Sequence, residues 1–308
     1  MLGGWGGDLG EGGREGCDLR SMWFDGEVLE SEGYGAENGN DLPLGEVITH
    51  ANRGSRVCAL AHYEQHGGFT MRLGLLMCGR VAPAAQRAGG DYPELFATFF
   101  AQHDITLQQI DLDQGRLPDD LDAMDGWITT GSAHSMVVDD LPWLADALDL
   151  VRTLVAENRP YIGDCFGHQL LGRALGGTVE RTSLFRVGVQ NYRVTARRPW
   201  MIPDAETFRL VASHQDQVTV PPEGATVFAE GPECPVAGMA FGSAISFQGH
   251  PEYTPELSHL LTLDRRDRIG EDETQRGLAS LDRGVTQGLV ADWIVEFVRR
   301  SMAERSRR

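Results

Sequence analysis

From Met71 onward the chain alternates short apolar runs with amphipathic stretches of helical period, and this alternation limits the fold more than any other feature of the sequence. Residues 72–77 form an apolar run that stops at Cys78-Gly79 and reads as a buried strand. Residues 92–103 set Leu95, Phe96, Phe99 and Phe100 on one helical face, and residues 105–110 read as the next strand, completing a βαβ unit. Residues 125–130 run into Gly131-Ser132. A helix is expected next, with Asp139 or Asp140 as N-cap, Pro142 in its first turn, Leu144, Leu148, Val151 and Val155 facing inward, and a stop at Asn158-Arg-Pro160. Residues 160–164 read as a strand and 166–175 as a helix ended by Gly176-Gly177. Strand signals at 186–194, 208–212, 225–229, 236–241 and 244–247 precede helices at 255–269 and 285–300. The pattern predicts an α/β fold: a mostly parallel sheet with helices on both faces, some antiparallel pairing in its second half, and functional groups at the carboxyl ends of its strands.

The first 70 residues differ in texture. They hold 16 of the 38 Gly, carry 4 Arg against 12 Asp plus Glu, and show no sustained period. Such a composition does not recover the entropy of ordering. The expectation is therefore a disordered extension over 1–70, or sequence upstream of a natural start at Met71, followed by one folded domain over 71–308.

All 27 basic side chains of the 308-residue chain are Arg. Without Lys, Schiff-base catalysis, covalent pyridoxal phosphate attachment and a P-loop lysine are excluded. A net charge of −18 argues against a nucleic-acid partner, since it would repel a phosphate backbone. The N-terminus is acidic and Gly-rich, and no apolar run has the length of a membrane span, so no membrane partner is expected and a cytoplasmic location is. Five Cys, at 17, 58, 78, 165 and 234, form no C-x-x-C pair; reduced thiols are expected, and one of them could be a nucleophile.

Gly163-Asp-Cys165-Phe-Gly167 puts a thiol where a strand turns sharply into a helix, with Gly on either side to admit neighbouring backbone. The free N–H groups and partial positive charge of a helix N-terminus favour the thiolate and can hold an oxyanion. An arbitrary Cys is more often a small buried hydrophobe. Ser246-Phe-Gln-Gly-His250-Pro-Glu252, immediately after a strand, supplies what that bland reading lacks: an imidazole for the thiol and a carboxylate for the far side of the imidazole.

These segments resemble the class I, triad-type glutamine amidotransferases. Residues 161–172 (Tyr-Ile-Gly-Asp-Cys-Phe-Gly-His-Gln-Leu-Leu-Gly) are similar to the family's nucleophile motif and Gln248-Gly-His-Pro-Glu252 to its His-Glu motif. Between the two, Ser213-His-Gln-Asp-Gln-Val218 resembles the Ser-His-x-Asp-x-Val segment. Trp127-Ile-Thr-Thr-Gly-Ser132 resembles the strand and turn that give an oxyanion N–H. The resemblance implies a flavodoxin-like sheet, no metal and no cofactor. It implies attack on the γ-carboxamide of glutamine or a related γ-glutamyl compound, through a γ-glutamyl thioester that water hydrolyses. Carried over by position, Cys165 is the nucleophile, His250 the general base and acid, and Glu252 the orienting carboxylate. The backbone N–H groups of Phe166 and of Gly131 or Ser132 form the oxyanion hole, and Gln169, His214, Gln215 and Asp216 hold substrate.

Three departures from the family pattern stand out. Asp164 replaces an apolar residue before the nucleophile, where a carboxylate would disfavour the thiolate unless it points away and is paired with an Arg or a backbone N–H. Ser132 replaces a Gly in the oxyanion turn. No synthetase domain follows Glu252. Three functions are therefore weighed: a free-standing hydrolase of γ-glutamyl amides, similar to the plant γ-glutamyl peptidases and to the amidotransferase domain of GMP synthase; an ammonia-supplying subunit for a synthetase partner; and a weakly active regulatory or binding homologue.

Overall fold

The computed structural model describes Thr70 to Arg307; apart from Thr70, the Gly-rich segment 1–70 lies outside the described residues. The chain runs β1 (Met71–Met77), α1 (Pro83–Gln86), α2 (Tyr92–Phe99), β2 (Ile105–Asp111), β3 (Gly126–Thr129), α3 (Leu144–Ala156), β4 (Tyr161–Asp164) and α4 (Phe166–Ala174). It continues with β5 (Thr178–Val194), β6 (Thr207–Val220), β7 (Thr226–Gly231), β8 (Cys234–Phe241), β9 (Ala244–Phe247), α5 (Pro255–Asp264), α6 (Arg266–Ile269), α7 (Glu271–Ser280) and α8 (Gln287–Arg305).

Nine strands form one sheet in the order β2-β1-β3-β4-β9-β8-β7-β5-β6. From β2 to β9 the pairings are parallel; from β9 to β6 they are antiparallel. The antiparallel half is as large as the parallel one, because β5 and β6 are far longer than the apolar patches at 186–194 and 208–212 that reveal them. The inner parallel strands β3, β4 and β9 are short and buried along their whole length, whereas the edge strand β2 is mostly exposed or half-buried.

Two apolar layers flank the sheet. Leu95, Phe96 and Phe99 of α2, Leu257 and Leu261 of α5, and Val290, Trp293, Ile294 and Phe297 of α8 pack on one face, with Ile128, Ile162 and Phe247 from the strands. Val151 and Leu154 of α3 and Phe166, Leu170 and Leu171 of α4 pack on the other, with Trp127 and Tyr161. Along β4, Tyr161 and Ile162 thus belong to opposite layers, the period of two that decides where the residues after them point.

Several local expectations change. Helix α3 begins at Leu144 with Trp143 as an uncapped N-cap. Asp139 does not cap it, because its carboxylate accepts from Ser135 N at 2.8 Å in a separate turn. Ala147, Leu150, Val151 and Leu154 are the fully buried positions of α3; Leu144, Leu148 and Val155 are half-buried at its margin. The helix expected over 255–269 breaks at Arg265 into α5 and α6, and α7 appears where no amphipathic period marks it. Helix α7 docks through small residues, Thr274, Gly277 and Ser280, and a Cβ on Gly277 would come within 2.5 Å of Val187 Cγ2 in β5. Among the described residues no helix is long and apolar enough to cross a membrane.

Candidate active site

Cys165 is the N-cap of α4, with φ +46° and ψ −92°. A non-Gly residue with such a backbone costs of order 1–3 kcal/mol and persists only where its surroundings fix it. Here Cys165 N donates to Phe247 O at 2.9 Å, tying the turn to the end of β9, and Cys165 O accepts from Gln169 N at 3.1 Å within α4. Gly163 makes the tight turn possible, since a Cβ there would lie 2.5 Å from Gly167 O in the first turn of the helix. The thiol is 3% exposed, and Gln248 Nε2 points at Sγ from 3.7 Å.

His250 follows β9. Its backbone N–H donates to Val211 O of β6 at 2.8 Å, and its Nδ1 lies 2.9 Å from Glu252 Oε1, so Nδ1 carries the proton and Nε2 is left for the thiol. The ring stacks on Tyr253, with centroids 3.9 Å apart and planes at 6°, and Tyr253 Oη meets Tyr92 Oη of α2 at 3.1 Å. Gln287, at the start of α8, clamps this turn by donating to Pro251 O at 2.6 Å and Tyr253 O at 3.1 Å. Burial, the largest influence, opposes charge on His250; Cys165, Glu252, Tyr253 and Asp164 together outweigh it and raise its pKa well above the ordinary value. The other two buried histidines behave oppositely. His168, bonded to Ser246 Oγ at 2.8 Å, and His214 are each pushed down to about 3 by burial and stay neutral.

Asp164 faces away from α4, as strand alternation requires, but the Arg or backbone N–H expected as its partner is absent. It is 1% exposed, neither carboxylate oxygen has a hydrogen bond, and Oδ2 lies 3.6 Å from His250 Nδ1. Asp164, His250 and Glu252 bring one donor atom each within 4.8 Å of one another, the one set among the described residues with metal-ligand composition. Its imidazole nitrogen is already hydrogen-bonded to Glu252.

On the other side of Cys165 a pocket opens, lined by Ser132, Phe166, Gln169, His214, Gln215 and Asp216 of the expected set; Gly131 lies outside it, against the His250 ring. Ser132 has no positive φ, so the missing second Gly of the turn carries no backbone strain, and its Oγ donates to Cys78 O at 2.7 Å. Gln169 Nε2 donates to Asp216 O at 2.7 Å. His214 Nδ1 lies 3.1 Å from the same carbonyl. Asp216 is buried, takes a hydrogen bond from Ser135 Oγ through Oδ2, and keeps Oδ1 without one, 3.6 Å from Arg181 Nη1. Gln215 has both ends of its amide engaged: its Oε1 accepts from Arg181 at 2.6 Å and its Nε2 donates to Thr182 O at 3.1 Å.

Residues not singled out in the sequence also shape this region. Tyr253, directly after the His-Glu motif, stacks on the imidazole, and Gln248, the first residue of that motif, to which the sequence assigns no role of its own, reaches the thiol. Arg265 and Arg268 line the pocket from the break between α5 and α6, Arg265 donating to Ser213 Oγ at 3.1 Å and Arg268 lying 5.3 Å over the Phe185 ring. Neither arginine has an ion-pair partner within 4 Å among the described residues, and nothing in the local sequence marks them, because isolated Arg on an exposed helix is ordinarily solvated. Burial lowers the Arg268 pKa first, and the positive charges of Arg181 and Arg265 lower it further.

Residues 123–265 match the family Glutamine amidotransferase class-I. The chain is 28% identical over 201 residues to γ-glutamyl peptidase 5 of Arabidopsis thaliana, covering 60% of this chain and 77% of that protein. It is 29% identical over 184 residues to a glutamine-hydrolysing GMP synthase of Corynebacterium jeikeium, covering 58% of this chain and 32% of the synthase. A glutamine amidotransferase from Thermotoga maritima shares the fold with a TM-score of 0.59 at 16% identity, over 77% of this chain and 100% of that one. The matched residues span the elbow, the β6 segment and the His-Glu turn, so the chain carries a class I glutamine amidotransferase domain.

Proposed function

We propose that the chain is a hydrolase of γ-glutamyl amide bonds in glutamine or a γ-glutamyl compound, with Cys165 as nucleophile, His250 as general base and acid, and Glu252 as the carboxylate that orients His250. The observation that carries this reading is the 2.9 Å contact from His250 Nδ1 to Glu252, which leaves Nε2 for a thiol held in a strained elbow at a helix N-terminus. His250 takes the Sγ proton and the thiolate attacks the γ-carbonyl carbon. Backbone N–H groups of Phe166 and of Gly131 or Ser132 stabilise the oxyanion. Collapse breaks the C–N bond, and the leaving amine takes its proton from His250. Water then attacks the thioester, giving its proton to His250, and release of the γ-glutamyl acid returns the thiol.

Gln169, His214 and Asp216 form the wall for the glutamyl head group, where the unbonded Asp216 Oδ1 suits an α-ammonium. The GMP synthase relatives support a second reading, an ammonia-supplying subunit, which predicts that turnover rises when a synthetase partner is added. The folded unit for either is residues 71–308.

The test is labelling of the purified chain, without a partner, by a glutamine-like electrophile, together with assays of ammonia release from glutamine and of γ-glutamyl peptide cleavage. Label is expected on Cys165 and not on Cys78 or Cys234. All three are buried, but of them only Cys165 lines the pocket, while the Cys78 thiol is pushed well above its ordinary pKa by burial and the Cys234 thiol is pushed up to about 12 by the same cause. Persistence of hydrolysis in Cys165→Ala would refute the mechanism.

A further inference from the structure

The far side of the His250 ring holds more carboxylate oxygen than it has hydrogen to bond. Glu252 Oε1 takes the Nδ1 proton, yet Glu252 Oε2 and both oxygens of Asp164 have no hydrogen-bond partner. Asp164 is 1% and Glu252 2% exposed, so water does not make up the deficit. Two bare carboxylates buried side by side would be strongly destabilising, and a buried acid so placed keeps its proton instead. One hydrogen held between the two carboxyl groups, which bring an oxygen each within 4.8 Å of one another, relieves the deficit and leaves Asp164 Oδ2, 3.6 Å from His250 Nδ1, as a carbonyl facing the imidazole.

We propose that Asp164 and Glu252 share a single proton, so that Asp164 is a neutral carboxylic acid that bonds Glu252 Oε2 and acts as a positioning residue for His250. The pair then presents one negative charge behind the ring, which matches the single positive charge of the imidazolium. When His250 takes the thiol proton, the shared proton stays between the carboxyl groups and no second charge is exposed. The charged groups facing Asp164 are Glu252 and His250, both from the turn after β9. Tyr92 from α2 and Tyr253 present hydroxyls whose own pKa values are raised, so they remain neutral. Consistent with this arrangement, burial raises the Asp164 pKa well above the carboxylate range, the Glu252 charge raises it further, and His250 opposes both. An acid before the nucleophile is thus compatible with the thiolate, because it adds no charge.

The catalytic consequence rests on the function proposed above, but the shared proton is measurable without substrate. In the wild-type chain at neutral pH, infrared spectroscopy should show the carbonyl stretch of a protonated carboxylic acid that shifts in D2O; Asp164→Asn should abolish it. Stability gives a second reading. The native chain keeps a proton that unfolded Asp releases near pH 3.9, so it binds more protons than the unfolded state above that pH and loses stability as pH rises toward the native pKa. Asp164→Asn removes this loss, and its melting temperature relative to wild type should therefore climb from about pH 5 to about pH 8.

For turnover, Asn still supplies an N–H to Glu252 Oε2 and should keep kcat within about threefold, whereas Asp164→Leu leaves that oxygen bare and should lower kcat by about tenfold or more with KM little changed. Absence of the protonated-carboxyl band, or a melting difference constant across the pH range, overturns the shared proton; equal losses in the Asn and Leu variants overturn the positioning role. If the wild type hydrolyses no γ-glutamyl amide, the proposed function fails and the two substrate-free readings still decide the proton.

Discussion

Gly131→Ala isolates the geometric demand on His250, the proposed general base. Gly131 has no positive φ, so Ala is conformationally tolerated and the perturbation is steric alone. Its Cβ would lie 2.5 Å from His250 Cε1 and 2.9 Å from Tyr92 Oη. Non-bonded carbons rest at about 3.5–4.0 Å, so about 1 Å must be absorbed by the ring or by the turn. The ring has little freedom to absorb it: Glu252 holds Nδ1 at 2.9 Å and Tyr253 stacks on its face at 3.9 Å. A displacement of about 1 Å at a reacting group costs on the order of a hundredfold in rate, or about 2.7 kcal/mol of transition-state stabilisation. Moving the turn instead displaces the N–H groups assigned to the oxyanion, with a cost of similar order. The assay is kcat/KM for γ-glutamyl amide hydrolysis beside the melting temperature. Gly288→Ala in α8, where nothing lies within 4 Å of the added methyl, serves as a control expected to keep full activity. A folded Gly131→Ala chain with activity within about threefold of wild type would refute the packing of His250 on this turn.

Two further outcomes follow from the pocket and the core. Arg265 and Arg268 line a pocket whose one lining carboxylate is Asp216, Arg181 lies 3.6 Å from that carboxylate, and Asp139 is turned to Ser135 and His134. A substrate with one ammonium and two carboxylates matches that inventory better than glutamine, so Arg268→Gln should raise KM for a γ-glutamyl amino acid by about tenfold, discounted for the exposure of Arg268, and change KM for glutamine much less. Equal changes for both substrates would reject a carboxylate on the leaving side. The fragment 71–308 should melt in one cooperative transition at the temperature of the full chain, since strand β1 starts at Met71 and both large apolar layers are built from residues after it; loss of the transition would place residues 1–70 in the core.

The elbow is legible in the sequence because its demands are local: a strand four residues long, a thiol flanked by Gly, and a helix whose apolar face is complete within nine residues. The His-Glu turn is legible for the same reason, as its pairing spans two residues. What escapes is set by distant partners. Helix α7 packs through Thr274, Gly277 and Ser280 and so shows no apolar stripe. The extent of β5 and β6 is invisible because one half of each strand is polar, exposed or half-exposed in β5 and mostly buried in β6, and it is that polar half that carries Arg181 opposite Asp216. The alternation of β4 correctly turns Asp164 from the thiol, yet its partners lie some ninety residues on, in the turn after β9, and no spacing rule reaches them.

The same topology explains how this domain can place the strained Cys165 elbow beside a buried acid, Asp164. Cys165 and His250 sit at the ends of adjacent strands, β4 and β9, where the parallel half of the sheet meets the antiparallel half. At that seam the thiol is committed to the face covered by α4, which offers helix N–H groups, and the imidazole turn to the face covered by α2 and α5. A residue one position before the nucleophile must therefore fall on the imidazole's side of the sheet, behind the ring. An apolar side chain there would only pack; a charged one would compete with Glu252 for the Nδ1 proton. A carboxylic acid that has surrendered its charge to burial can do a third thing, which is to hold Glu252 in place, and the family's fold permits that substitution at this position because the strand period points the side chain nowhere else.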